Sequence, residues 1–161
     1  MILNSTTKLE AFEGVLLAQK IFPDGSTETI FEDKNLIMLS SKLYMLSSIF
    51  SQTFIPDPIN SLQVGLGGTI DPQGLFPKPI DQNRTSLFTP ALTVITSYTE
   101  NVSVPSVTYL ANLDQGTANG LLITEAGLFR SSGTMFNQKT FPGIPKTAEF
   151  ALQFSWTIKI S

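Results

Sequence analysis

The segment NGLLITEAGLF, residues 119–129, sets one carboxylate, Glu125, among apolar neighbours and two residues before Gly127. A carboxyl group in such surroundings is either an acid tuned for catalysis or an acceptor that holds backbone in place. No basic residue stands nearer in the following sequence than Arg130. The chain contains neither histidine nor cysteine. It therefore lacks the commonest general base, thiolate chemistry and the commonest ligands of transition metals. Glu125 would have no such partner in catalysis. The economical reading is a structural peg: Glu125 ends a strand and accepts N–H groups from a neighbouring turn, and Gly127 makes a bend that a side chain would block.

Other chemistry-bearing groupings are weaker. Paired carboxylates suited to glycoside hydrolysis exist at Glu10 with Glu13 and at Glu28 with Glu32 and Asp33, all in polar stretches. The glycine-rich VGLGGT, Val64 to Thr69, has the look of a phosphate loop. A phosphate cradle opens directly into a helix N-terminus, whereas the next residues here are Ile70-Asp71-Pro72-Gln73-Gly74. Asp71, Asp81 and Asn83 are too dispersed for a calcium loop. Trp156 resembles a sugar platform in type, but its place in an alternating segment makes it core. The expectation is no catalytic residues, no cofactor and no metal.

The elements that would position these residues follow from length, composition and period. The 161 residues suit one domain, 1–161, with a core of its own. Hydrophobic residues make up 42% and charged residues only 14%, with twelve phenylalanines, which argues against disorder. The net charge of −3, with Arg84 and Arg130 apart, gives no footprint for nucleic acid. The N-terminal MILNSTTKLEAFEG lacks the basic and apolar regions of a signal peptide. No apolar run reaches the length of a transmembrane helix, so no membrane partner is expected. The sequons at Asn4, Asn83 and Asn101 carry no weight in that setting.

From Phe150 to Ile160 every second residue is apolar, including Leu152, Phe154, Trp156 and Ile158, which predicts a strand with one buried face. Residues 15–31 read as a hairpin about Pro23-Asp24-Gly25-Ser26. Leu39, Leu43, Leu46 and Phe50 recur at steps of four, three and four, opposite serines, and predict an amphipathic helix over about 39–51. Val64 and Leu66 suggest a short strand. Residues 68–90 read as a long Pro-rich loop or arm, with Leu75 and Phe76 at its tip poised to enter a partner subunit. The segments 91–98, 102–110 and 121–129 read as strands separated by turns, with Pro105 marking an edge or bulge. GTMFNQKTFPGIPK, residues 133–146, reads as a loop whose Met135, Phe136 and Phe141 belong either to an interface or to the core. The fold class expected is mainly β: an antiparallel β-sandwich, Ig-like or jelly-roll-like, with one helix and a long Pro-rich loop.

The order of KNLI (Lys34 to Ile37), a helix, VGLG (Val64 to Gly67), a long loop, ITEAGLF (Ile123 to Phe129), GTMF (Gly133 to Phe136), IPKT (Ile144 to Thr147) and WTIKI (Trp156 to Ile160) resembles a group of small tailed-bacteriophage virion proteins. The resemblance spans about residues 15 to 160. Leu66 departs from it, where the group more often has a small polar residue, as does the enlarged Pro-rich insert that follows. It implies a non-enzymatic subunit of the tail, baseplate or neck, made in the host bacterial cytoplasm and present in repeated copies, with trimer or hexamer as plausible states. Its partners would be other copies and other virion proteins. Capsid decoration is the near alternative. A carbohydrate- or receptor-binding module is a further one, kept open by Tyr98 and Tyr109, and a hydrolase built on Glu125 is third.

Overall fold

A computed structural model describes residues 12–160. Glu10 and the Asn4 sequon lie outside the described residues. The chain runs β1 (Phe12–Ile21), β2 (Thr27–Ile37), α1 (Leu39–Phe50), β3 (Ile59–Gly65), β4 (Pro90–Ile95), β5 (Ser97–Asn101), β6 (Ser106–Leu113), β7 (Leu122–Arg130), β8 (Met135–Pro145) and β9 (Ala151–Ile160). The nine strands of the described residues join one antiparallel sheet in the order β4-β3-β7-β8-β2-β1-β9-β6-β5. Its two end strands, β4 and β5, are separated in the chain by Thr96 alone, so the sheet is rolled until it nearly closes.

The β1–β2 hairpin turns where its sequence demands. Gly25 takes φ +84°, and the Asp24 carboxylate accepts the amide and hydroxyl of Ser26 at 2.8 and 2.6 Å. β2 then continues beyond the expected hairpin. It pairs with β1 as far as Asn35, and Leu36 and Ile37 pass across to β8. The alternating β9 lies between β1 and β6 and turns Leu152, Phe154 and Trp156 inward. There they meet Leu16 and Ala18 of β1, Leu62 and Val64 of β3, and Phe141 of β8, whose ring centroid stands 6.1 Å from that of Phe154. Each large apolar side chain so buried contributes about 1.5–3 kcal/mol.

Three expectations are corrected. The stretch 133–146 is not a loop, because most of it forms β8, and Met135, Phe136 and Phe141 are buried in the chain's own core. Met135 and Phe141 are 0% and 1% exposed, and Phe136 keeps only a 4% edge, at the cavity described below. Pro105 lies in the β5–β6 turn, and β6 is an interior strand between β5 and β9. The helix forms where its spacing predicts, but its leucine stripe faces outward: Leu43 is 58% and Phe50 78% exposed. α1 is held instead through Ser41, which is buried with its hydroxyl 3.4 Å from the Met135 carbonyl, and through the half-buried Tyr44 and Met45. Backbone bonds at its start, Met38 N–H to Phe136 O and Leu39 N–H to Gln82 O, fix that orientation.

Candidate functional site

Glu125 stands in the middle of β7, not at its end, and is fully buried. Its side chain is on the outer face of the sheet, beneath residues 66–89, which connect β3 to β4. Oε1 accepts the amides of Gly67 at 3.2 Å and Thr89 at 2.8 Å. Oε2 accepts the Phe88 amide at 2.9 Å and the Gln138 side-chain amide at 2.9 Å. One carboxylate thus ties the beginning of the long connection to its end. A carboxylate has acceptors only, and four converging donors match it. No face of the group is left for a substrate.

The surrounding residues extend the clamp. Thr124 Oγ1 accepts the Gly68 amide at 2.8 Å, and the Thr140 hydroxyl donates to Lys78 O at 2.7 Å. Gln138 passes the contact outward by accepting Arg84 Nε at 3.2 Å, while the Arg84 guanidinium lies 3.6 Å over the Phe88 ring. Leu87 and Ile80 from the same connection cover Met38, Phe129 and Met135 in a second, smaller apolar cluster. The glycines of VGLGGT serve this packing. A Cβ on Gly68 would stand 2.2 Å from the Thr124 carbonyl, so only glycine lets the backbone lie so close to β7. Gly127 acts by the same close approach and makes no bend: a Cβ there would meet the Asn137 carbonyl at 2.8 Å and Leu87 at 3.2 Å. Trp156 is remote from this clamp, in the main core, and its Nε1 has no hydrogen-bond partner among the described residues.

Leu75 and Phe76 crown a turn of the same connection. The Asp71 carboxylate accepts the amides of Leu75 (2.9 Å to Oδ2) and Phe76 (2.7 Å to Oδ1), which hold its pKa below the usual carboxylate value. The Gly143 amide donates to Gly74 O at 2.7 Å and docks the turn on β8. Phe76 is 63% exposed, and Leu75 is exposed beside it.

The remaining carboxylates are dispersed. Glu28 pairs with Lys20 at 3.1 Å, Glu13 with Lys34 at 3.3 Å and Lys159 at 3.6 Å, and Asp33 with Lys139. Asp81 caps its own turn through the Asn83 amide. Among the described residues no three acidic side chains gather as metal ligands would.

A second feature had no sequence signal. At the end of the rolled sheet where β1 and β6 begin, a cavity of about 600 Å³ opens between α1 and the β5–β6 turn. Tyr44, Met45, Val102, Val107, Tyr109 and Ile158 supply most of its apolar lining, and Asp57, Glu100 and Lys159 stand around it. Burial tends to raise the Asp57 pKa, but the Ser132 hydroxyl and amide, with Arg130 at 3.4 Å, carry it below its ordinary value. Burial also pushes the Tyr109 phenol up, helped by Tyr98 and Glu100. The lining comes from segments far apart in the chain, so no local motif announces it. Gln138 and Arg84 were equally silent, as single polar residues in loop-like surroundings.

No family model, curated protein or solved structure matches the chain.

Proposed function

We propose that the chain is a non-enzymatic structural subunit of a tailed-bacteriophage virion, present in repeated copies in the tail, baseplate or neck. In this reading the rolled sheet works as a two-layer β-sandwich, with β2 and the β4–β5 run as the shared margins. The observation that carries the proposal is where the large apolar side chains stand. Leu43, Phe50, Ile55 (82% exposed) and Phe76 project from a body that already has a dense core. Apolar groups concentrated on a small chain's surface are characteristic of protein contacts. The buried carboxylate supports the same reading, since Glu125 spends all its bonding capacity on holding the long connection. Capsid decoration uses the same features at another address on the particle.

The order of motifs from KNLI to WTIKI supplies the particle as the setting. Purified virions digested and quantified by mass spectrometry test it: the chain is expected at a copy number that is a multiple of three or six. Its absence from particles, with abundant free protein in lysates, would overturn the proposal. A binding-module reading is favoured by one observation, the exposed Tyr98 with its ring 6.2 Å from that of Tyr109 near the cavity. Saturable glycan binding that Tyr98→Ala abolishes would establish it.

A further inference from the structure

The exposed Leu75–Phe76 turn and the apolar cavity lie at opposite ends of the molecule. Gly74 packs on Leu122 and Gly143, at the end where β7 begins and β8 finishes. The cavity contains Phe136 at the start of β8, Ile158 near the end of β9 and Phe12 at the start of β1. The register joins these three strand ends on one side: Gly14 pairs with Ile158 and Asn35, and the adjoining Leu36 with Gln138. One end of the rolled sheet therefore carries a projection, and the other a hollow of matching polarity.

We propose that Leu75 and Phe76 of one copy insert into the apolar cavity at the opposite end of the next, making a directional, head-to-tail contact. The inference rests on the subunit reading above and names the surfaces it uses. The projection is prepared for the task, since its turn is braced by Asp71 and docked on β8, so little ordering is left to occur on binding. The hollow has room for two large side chains and is lined mainly by apolar ones. The charges also match. The Glu100 carboxylate at the cavity has no side-chain hydrogen bond or ion pair among the described residues, and the Lys78 ammonium beside the projection, 4.7 Å over the Phe88 ring, has no carboxylate partner among them. A contact between unlike surfaces closes into a ring when the rotation per step allows it and otherwise extends as a filament.

The absence of cysteine makes the test clean. Phe76→Cys and Val102→Cys each place one thiol at an exposed site, the first on the projection and the second, at 89% exposure, on the cavity wall. Mixed and oxidised, the two proteins are expected to form the 76–102 cross-link about 10-fold more than either like pair, because docking raises the local thiol concentration. Statistical yields would overturn the proposal. In parallel, Phe76→Asp and Val107→Arg each abolish self-association in sedimentation at unchanged melting temperature. Mixing these two variants restores dimers but nothing larger, since one retains only a hollow and the other only a projection. Failure to restore dimers overturns the head-to-tail contact. If Phe76→Asp protein is incorporated into virions at the normal copy number, this contact is wrong and the subunit reading survives. If wild-type chain is missing from virions while the 76–102 cross-link forms, the virion reading falls and the contact stands.

Discussion

β8 and β9 are strands of similar length in one sheet, yet only β9 announces itself in the sequence. β9 has one face in the main core and the other partly exposed, so its apolar residues fall on every second position. β8 is buried on both faces, toward the main core on one side and beneath residues 66–89 on the other. Its outer-face residues are polar because the chain covering them must be hydrogen-bonded: Gln138 reaches Glu125 and Arg84, and Thr140 reaches Lys78 O. Asn137 has a third task. Its Oδ1 accepts the Leu128 amide at 3.0 Å, beside the register shift between Leu128 and Phe129. A strand whose polar residues are consumed internally resembles a loop when read one letter at a time. The comparison teaches that alternation reports burial on one face only.

Substitutions on the two strands and their partners break or sharpen the contrast. The largest effect is expected from Trp156→Ala, which leaves a large hole in the main core and costs about 3–5 kcal/mol. Chemical denaturation should show a lower midpoint with an unchanged slope. Glu125→Gln comes next at about 3 kcal/mol, since an amide brings donors against four donors and each one stranded costs about 1–3 kcal/mol. Hydrogen exchange should speed first at Gly67, Phe88 and Thr89, with β9 still protected; uniform acceleration would mean that Glu125 is not a local clamp. Gly127→Ala should cost about 1–3 kcal/mol by overpacking against Asn137 and Leu87.

Acid should act more gently, and on the surface ties. Asp33 is held low chiefly by the Lys139 ammonium, and Asp57 is low despite its burial. Carboxylates whose folded pKa lies below the unfolded 3.8 add stability above that value and lose it as pH falls through the folded one. Melting temperature is therefore expected to drop below pH 3.8, and to drop less in Lys139→Met, where the Asp33 tie is already gone. The smallest effect is expected at Leu43→Lys on the outward stripe of α1, within about 0.5 kcal/mol. A large loss there would show that the stripe packs against something in solution.

Much of the secondary structure was legible, and the reasons are local. Pro23-Asp24-Gly25-Ser26 marks its turn through φ preferences that need no distant partner. The 4-3-4 spacing located α1 but not its orientation, because a buried Ser41 and an outward Leu43 are decided by Met135 and Phe136, more than 90 residues away. The type of role open to Glu125 could be argued from the missing histidine and cysteine. Its partners could not, since Gly67, Phe88 and Thr89 lie 58, 37 and 36 residues from it. The cavity was illegible for the same reason, being assembled from the ends of several strands.

The single residue between β4 and β5 has a topological consequence. Nine strands with every neighbour antiparallel leave the first and last pointing the same way, and same-way neighbours need a crossover of a dozen or more residues to pair. Thr96 is far too short for that, so β4 and β5 act as one kinked ribbon that bonds β3 on one flank and β6 on the other. Counted as one, they give an even number of strands, and the nearly closed sheet is bridged at that margin by the chain itself, where a β4–β5 ladder would be impossible. A covalent bridge of this kind cannot slip in register, so the two margins of the sheet stay aligned where a hydrogen-bonded pair could shift.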